Sequence, residues 1–129
     1  MIKYNVIART NPIDKSVKFY AQAISPTQVS FDQLCEEISH STTATEADAS
    51  AVIKESLVHL LSHLLDGKSV SFGSLGSFRV TLKSKGADTA DAFTSDNIEN
   101  VMVRWTRPTK MRRELKPGVG SVRFKKAEA

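Results

Sequence analysis

The sequence predicts a mixed α+β fold, because the hydrophobic pattern changes its period twice along the 129 residues. Residues 2–24 are rich in β-branched and aromatic side chains, which is typical of strands. Residues 30–66 carry apolar side chains at helical spacing, and strand-like alternation returns from residue 68. The predicted order is hairpin, helix, helix, hairpin and strand, and a chain of this length suits one compact domain.

The first predicted element is a β-hairpin formed by residues 2–9 and 17–24. Asn11, Pro12 and Asp14 lie between these segments, and such residues favour a turn. A helix of about two turns is predicted next, because Ser30 and Gln33 have the spacing of a capping box. The spacing of the following apolar residues gives this helix one apolar face, made of Phe31, Leu34, Cys35 and Ile38.

The longest predicted element is a second helix, separated from the first by a loop at residues 39–44. Thr45 is its predicted N-cap, and Asp48 places a carboxylate near the helix N-terminus. Apolar residues keep the helical period from Ala49 to Leu65, which corresponds to about five turns. Gly67 stands where a left-handed C-cap is expected, so the helix is predicted to end there.

Residues 68–82 predict a second hairpin around a turn at residues 73–76. Residues 87–100 are polar and predict no defined element. Residues 101–105 predict another strand, and residues 110–115 predict at most a short helical turn. Residues 119–126 fit either a strand or a disordered basic tail.

The formal net charge of +4 is distributed unevenly. Residues 1–29 contain four basic and one acidic residue, residues 30–66 one and seven, and residues 67–129 thirteen and six. An acidic middle and a basic end indicate a surface for a polyanion. The single cysteine excludes a disulfide scaffold, no apolar run approaches a membrane span, and residues 1–10 lack a signal-peptide core. We therefore expect a soluble cytoplasmic protein without a membrane partner.

The junction between the long helix and the second hairpin has a distinctive pattern. The helix ends in Leu64-Leu65-Asp66-Gly67-Lys68, and the hairpin reads Val70-Ser71-Phe72-Gly73-Ser74-Leu75-Gly76-Ser77-Phe78-Arg79-Val80. This pattern resembles the HU/IHF family of histone-like bacterial DNA-binding proteins, although Leu75 replaces the aromatic residue of the family's turn. The resemblance covers residues 30–85 well and residues 101–115 more loosely. With its N-terminal hairpin, the chain is most similar to the extended HU-related branch typical of Bacteroidetes.

The resemblance implies an HU/IHF-like intertwined homodimer, in which two helices pack on a small antiparallel sheet that carries an arm hairpin. It divides one domain, residues 1–129, into a hairpin extension (1–29), a helical dimerisation part (30–67), a sheet with a modified arm (68–118) and a basic tail (119–129). Arms in this family end in Arg-Asn-Pro, whose proline wedges between base pairs. No Arg-Asn-Pro occurs here, and residues 87–100 hold four acidic and no basic residues, so the wedge is not implied.

Basic residues in the second half of the chain are the predicted DNA contacts. Arg79, Lys83 and Lys85 are spaced to share one face of an extended strand, opposite Val80 and Leu82. A denser cluster follows and consists of Arg104, Arg107, Lys110, Arg112, Arg113 and Lys116. Such residues bind phosphates in a salt-dependent way with little base readout. The alternative for Arg79, Lys83 and Lys85 is an ordinary solvated strand face. For Arg123, Lys125 and Lys126, a solubilising role explains the positive charge almost as well as DNA contact does.

The remaining chemically distinctive residues predict packing and no catalytic role. Trp105 either stacks on a base or packs in the core, and the core is the commoner position. His59 and His63 have the spacing of metal ligands but lack a third ligand, and Cys35 falls on an apolar helix face. Residues 67–69 imitate a phosphate-binding loop but close a helix instead of opening one. The sequence therefore predicts no enzyme, metal, cofactor or small-molecule substrate.

Two hypotheses about function follow from these observations. The first is a histone-like, nucleoid-associated homodimer that binds duplex DNA non-specifically through phosphate contacts and condenses it. The alternative is a dimeric protein-interaction or assembly module that kept the HU-like fold and lost DNA bending, motivated by the acidic segment 87–100. Strong retention on DNA supports the first hypothesis. Weak retention, together with a protein partner recovered from nuclease-treated extract, supports the alternative.

Overall fold

The computed structural model describes residues 1–127 and confirms a mixed α+β architecture. These residues form six strands and three α-helices, which in chain order are β1 (Ile2–Thr10), β2 (Val17–Ala23), α1 (Phe31–Ser41), α2 (Glu46–Leu65), β3 (Val70–Ser71), β4 (Ser77–Ser84), β5 (Ile98–Thr106), α3 (Thr109–Glu114) and β6 (Phe124–Lys126). The chain forms two compact units, unit 1 with Met1–Val29 and Lys110–Ala129, and unit 2 with Ser30–Thr109. The last two residues of the predicted basic tail lie outside the described residues.

Unit 1 is built on a three-stranded sheet in the order β2-β1-β6. β1 and β2 pair antiparallel from Tyr4 opposite Ala23 to Thr10 opposite Val17, which confirms the predicted N-terminal hairpin. In the turn, the side chain of Asn11 accepts a hydrogen bond from Ile13 N–H, and that of Asp14 accepts one from Ser16 N–H, both at 2.9 Å. These are the local bonds that Asn and Asp offer in turns.

The C-terminal segment of unit 1 returns to this sheet. β6 pairs with β1 in parallel, so that Ile2 lies opposite Phe124. Of the two alternatives for residues 119–126, residues 124–126 form a strand. Before it, Ser121 donates its backbone N–H and its hydroxyl to the carboxylate of Glu114, and Val122 N–H donates to the Glu114 carbonyl. The chain after α3 is thus fastened to the end of that helix.

Helix α1 is longer than predicted, because it continues to Ser41 through half of the expected loop. Ser39 and Thr42 donate their hydroxyls to backbone carbonyls of the preceding turn, which extends the helical backbone. Ser30 is the N-cap, and its Oγ accepts from Gln33 N–H at 3.1 Å. The other half of the predicted capping box is not formed, and the side-chain amide nitrogen of Gln33 donates to Glu37 at 3.4 Å.

Both predicted ends of α2 are confirmed. Thr45 and Asp48 form a complete capping box, in which each side chain accepts from the other's backbone N–H. Gly67 has a φ of +77°, and its N–H donates to the Leu64 carbonyl in the left-handed C-cap expected of glycine. Among the described residues, the buried apolar ones are Cys35 on α1, with 3% of its surface exposed, and Ala49 and Leu64 on α2, so the core of unit 2 lies where these two helices pack. The predicted packing role of Cys35 is confirmed.

The second sheet has the order β3-β4-β5 and is antiparallel throughout. β3 and β4 form the predicted hairpin, with a short 3-10 turn at Gly73–Leu75. β5 starts at Ile98, three residues earlier than predicted, because it pairs with the far end of β4. Over residues 1–127, no helix is long and apolar enough to cross a membrane.

Candidate nucleic-acid interface

Strand register brings three of the predicted DNA contacts onto one face of the β4–β5 pair. Arg79 lies directly opposite Arg104, and Lys83 lies opposite Asn100. Residues paired across two strands point to the same side, so Arg79, Lys83 and Arg104 form a shared surface, here called the β4–β5 basic face. Val80 and Leu82 point to the other side, as the strand period predicted.

The β4–β5 basic face has no acidic partner among the described residues. The ion pairs in residues 1–127 are His40 with Glu36 and His59 with Glu55, both on helices. Arg79, Lys83 and Arg104 are exposed, and two arginines face each other across the strands. Like charges directly opposite are destabilising, so this face is electrostatically suited to an external anion.

Lys85 lies just past the strand that was predicted to carry it. β4 ends at Ser84, and its register with β5 shifts between Lys83 and Ser84, where Glu99 is passed over. Such an irregularity bends and twists a strand pair. Lys85 N–H donates to the Asn97 carbonyl at 2.8 Å, which closes the loop at residues 85–97. The strand face therefore holds Arg79 and Lys83 of the predicted row, with Lys85 at the start of the loop.

The basic cluster after Arg104 crosses the boundary between the two units. Arg104 and Arg107 belong to unit 2, whereas Lys110, Arg112, Arg113 and Lys116 belong to unit 1. The last four lie on or just after α3, and their side chains are exposed. The structure thus assigns the six predicted contacts to two groups.

The carboxylate nearest to this second group is engaged elsewhere. Glu114 ends α3, and the two hydrogen bonds from Ser121 hold the pKa of its carboxyl below the usual glutamate value, with a smaller contribution from the charges of Arg113 and Lys110. Glu114 forms no ion pair within 4 Å with either residue. Hydrogen bonds rather than a neighbouring cation therefore satisfy Glu114, which leaves Arg113 and Lys110 available to an external anion.

The opposite face of the β4–β5 pair is apolar. It carries Phe78 opposite Trp105, Val80 opposite Val103 and Leu82 opposite Val101. The indole Nε1 of Trp105 donates to the Leu75 carbonyl at 2.9 Å, although 47% of the residue surface is exposed. This hydrogen bond fixes the ring against the β3–β4 turn, which favours the packing interpretation of Trp105 over base stacking.

An apolar groove of about 470 Å³ runs between α2 and the β3–β4 hairpin. Phe72 and Phe78 contact each other edge to face at its sheet side, with ring centroids 5.6 Å apart. The groove is lined by Val52, Ile53, Ser56, Leu57, Leu60, Phe72, Leu75 and Phe78. Val52 and Leu57 are 65% and 63% exposed, so α2 presents a large apolar surface in addition to the one that packs on α1.

The loop at residues 85–97 replaces the basic arm that the HU resemblance leads one to expect. Asp88, Asp91 and Asp96 lie in it, and Glu99 lies on the adjoining end of β5. A short 3-10 turn at Ser95–Asn97, capped by Thr94 and Asn97, leads into β5. The segment that was predicted to lack a defined element is therefore mostly loop, and its charge is opposite to that of a phosphate-binding arm.

Sequence reasoning identified the basic residues but not their pairing. Arg79 and Arg104 were separate candidates, and only the register of β4 with β5 makes them neighbours. No group of three or more His, Cys, Asp or Glu side chains is placed to hold a metal ion within residues 1–127. The chemistry available at the candidate interface is therefore that of guanidinium and ammonium groups.

Unit 2 follows the element order of an HU-related domain, with a short helix, a long glycine-capped helix and an antiparallel sheet that has one basic face. A family model described as an HU domain fused to a wHTH, Ig or glycine-rich motif matches residues 1–123, and the chain belongs to this HU-HIG family. The resemblance to HU proteins is thereby confirmed.

A solved structure has the same fold. It is that of a presumed bacterial DNA-binding protein from Bacteroides vulgatus ATCC 8482, with a TM-score of 0.68 and 13% sequence identity. The match covers 97% of this chain and 47% of that one, so this chain spans about half the length of its structural relative. No curated protein matches the chain.

Proposed function

We propose that this protein is a non-enzymatic DNA-binding protein that contacts the phosphates of duplex DNA. The observation that carries the proposal is the β4–β5 basic face, where Arg79 lies opposite Arg104 on the same strand face as Lys83, with no carboxylate partner within residues 1–127. Membership of an HU family and the fold shared with a presumed DNA-binding protein support the same role. Lys85, Arg107, Lys110, Arg112, Arg113 and Lys116 are proposed as further phosphate contacts.

Binding by this face has low sequence specificity. Guanidinium and ammonium groups on a sheet surface contact phosphates, which position a protein on DNA but carry no base identity. The loop at residues 85–97 contains neither a proline nor a basic residue after Lys85, so it has no wedge to insert between base pairs. The proposed role is that of a histone-like protein that condenses DNA in the cytoplasmic nucleoid.

The binding form proposed here is a homodimer. The groove between α2 and the β3–β4 hairpin and the apolar face of β4–β5 expose Val52, Leu57, Leu82, Val101 and Val103 in a single chain. An exposed apolar area of this extent marks an interaction surface, and a symmetric dimer is the commonest way to cover one. The HU resemblance, which implies crossed long helices, supports a second copy as the partner.

The proposal is tested by measuring the affinity for duplex DNA at increasing salt concentrations. We expect the logarithm of the binding constant to fall linearly with the logarithm of the salt concentration, with a slope of about 0.9 for each phosphate contact. Arg79→Gln combined with Arg104→Gln removes two contacts per chain, so the slope and the affinity at low salt both decrease.

Lys54→Gln is the matched control, because Lys54 lies on α2 over the ring of Phe31, at 5.9 Å, and not on the sheet. This variant is expected to keep both the slope and the affinity. No binding to duplex DNA at low salt contradicts the proposal, and so does an equal effect of Lys54→Gln and the double arginine variant.

A further inference from the structure

The two units have net charges of opposite sign, and the net charge of the chain is their sum. Unit 1 contains eleven basic and three acidic residues, whereas unit 2 contains seven basic and eleven acidic residues. The HU-like helices and sheet are therefore acidic in total, and most of the positive charge belongs to the unit built on the N-terminal hairpin. The excess of positive charge indicates that unit 1 carries a surface for an anion.

Four of the eleven basic residues of unit 1 lie on one face of its sheet. Register and strand alternation place Lys3, Arg9, Lys18 and Lys125 on the same side, here called the hairpin basic face. Asn5, Ile7, Tyr20 and Gln22 point to that side as well, so the face is polar and basic apart from one partly buried isoleucine. The other side is mainly apolar, although it also carries Lys126, and consists of Ile2, Tyr4, Val6, Ala8, Thr10, Val17, Phe19, Ala21, Ala23, Phe124 and Lys126. Antiparallel sheets commonly leave their polar face to solvent and ligands, and here the apolar side is also exposed, with Phe19 at 70%.

The four basic residues form two like-charged pairs across neighbouring strands. Arg9 lies directly opposite Lys18, and Lys3 lies directly opposite Lys125. None of them has a carboxylate within 4 Å among the described residues. Like charges in directly opposed positions destabilise a sheet, and an anion bound between them reverses that cost. Two such pairs on one face indicate a ligand that brings negative charge to both.

The geometry of the face fits an extended polyanion better than a single anion. Lys3 and Arg9 are six residues apart on β1, so the two pairs are separated by about 20 Å at 3.3 Å per residue. A single phosphate cannot reach both pairs. Duplex DNA carries one negative charge about every 1.7 Å along its axis, so its phosphates can contact both like-charged pairs.

One end of the face is shaped to orient a phosphate. The guanidinium of Arg9 lies over the ring of Tyr20, with its carbon 5.7 Å from the ring centroid. A groove of about 380 Å³ beside it is lined by Arg9, Thr10, Asn11, Ser16, Lys18 and Tyr20. An arginine held on an aromatic ring keeps its donor edge directed outward, which suits two-point hydrogen bonding to phosphate oxygens.

We propose that the hairpin basic face is a second binding site for the phosphate backbone of duplex DNA, separate from the β4–β5 basic face. The inference rests on the proposed DNA-binding function and assigns part of the binding to the N-terminal extension. Part of the signal was present in the sequence, because Lys3, Asn5 and Arg9 share one side of β1, interrupted by Ile7, as Lys18, Tyr20 and Gln22 share one side of β2. The second like-charged pair could not be seen in the sequence, because it depends on the pairing of β6 with β1, which places Lys125 opposite Lys3.

The adjacent lysines of β6 provide a matched test. Lys125 is paired with Lys3 on the hairpin basic face, whereas Lys126 is paired with Tyr4 on the opposite face. Lys125→Gln is expected to lower the salt slope of duplex DNA binding by about 0.9 for each bound chain, and Lys126→Gln is expected to leave it unchanged. Lys125→Arg keeps the charge and is expected to keep the slope.

A fourfold variant extends the test to the whole face. Replacing Lys3, Arg9, Lys18 and Lys125 by Gln is expected to lower the slope by about three to four for each bound chain. A circular dichroism spectrum equal to that of the original chain is measured alongside to show that the sheet is kept. An unchanged slope, or equal effects of Lys125→Gln and Lys126→Gln, overturns the inference.

The outcomes separate the two proposals. If the original chain fails to bind duplex DNA at low salt, the proposed function itself fails. If it binds with a slope that depends on Arg79 and Arg104 but not on the hairpin basic face, only the second site is overturned. Retention on vesicles of anionic phospholipid that depends on Lys125, without any change in DNA binding, assigns the face to a membrane and also overturns the inference.

Discussion

At the scale of single residues, Gly76 is the glycine of unit 2 where a larger side chain is expected to be most destabilising. Its φ is +92°, and a Cβ built there meets the Thr106 carbonyl oxygen and lies 2.6 Å from Trp105 Nε1. Gly76→Ala is therefore expected to lower the free energy of unfolding by about 2–4 kcal/mol, from backbone strain and overpacking together. Denaturant unfolding followed by the fluorescence of Trp105, the only tryptophan, measures this change.

Gly86→Ala is the control for that experiment. Gly86 has no positive φ, and nothing lies within 4 Å of a Cβ at that position. The substitution is expected to leave the free energy of unfolding nearly unchanged. If the two variants have equal stability, the close approach of Gly76 to the end of β5 has no energetic consequence.

Glu114 gives unit 1 a specific pH dependence. The hydrogen bonds from Ser121 lower the pKa of its carboxyl, so protonation is harder in the folded chain than in the unfolded chain. The resulting stabilisation is present above the ordinary glutamate pKa and is lost as the pH falls through the lowered, folded value. Ser121→Ala is expected to raise the Glu114 pKa toward the ordinary range. An NMR titration of the side-chain carboxyl measures this shift, and an unchanged pKa in the variant contradicts the assigned cause.

Local signals were the most predictable part of the sequence. The caps at Ser30, Thr45 and Gly67 and the burial of Cys35 depend on residues within one helical turn, so each was identifiable from spacing alone. Gln33 shows the limit, because it has the spacing of a capping box but its side-chain amide nitrogen donates to Glu37 on the next turn. The spacing of a motif does not determine which hydrogen bonds a side chain forms.

At the scale of elements, pairing between distant segments was not predictable. β6 is three residues long and lacks a period of its own, and it forms a strand because β1 offers an edge more than a hundred residues earlier in the chain. The early start of β5 and the register that joins Arg79 to Arg104 have the same origin. The basic residues of the candidate site could be found from the sequence, whereas the surfaces that they form could not.

The acidic loop at residues 85–97 is the element that departs most from a DNA-binding arm. If it lies beside bound DNA, replacing Asp88, Asp91 and Asp96 by Asn is expected to raise the affinity about threefold to tenfold at low salt, because repulsion from phosphates is removed. The gain is expected to shrink as salt is added. Titration of duplex DNA at two ionic strengths measures both effects.

A triple variant elsewhere in unit 2 controls for total charge. Asp32, Glu37 and Glu46 are exposed carboxylates on α1 and α2, and neutralising them changes the net charge by the same amount. A smaller gain is expected from this variant, since its charges lie on the helices and not on the sheet loop. Equal gains from the two triple variants contradict a position of the loop near DNA.

At the scale of the whole molecule, charge and apolar surface are divided between different parts of the chain. The basic excess belongs to unit 1 and to one face of β4–β5, whereas the exposed apolar surface of unit 2 lies on α2 and on the other face of β4–β5. A dimer that buries the apolar face leaves the basic face outward, so the two proposed interfaces do not compete. Each subunit then contributes its own basic faces, and the number of phosphate contacts doubles.

The dimer is tested by placing a charge in the apolar groove. Leu57→Glu puts a carboxylate among side chains that a second copy is expected to cover, and burying it unpaired costs several kcal/mol. We expect this variant to be monomeric by analytical ultracentrifugation at concentrations where the original chain is dimeric, with a weaker DNA affinity because the contacts are halved. Ala51→Glu puts the same charge on α2 at an exposed position outside the groove and is expected to remain dimeric. A monomeric original chain, or a Leu57→Glu variant that still dimerises, contradicts the groove as the dimer interface.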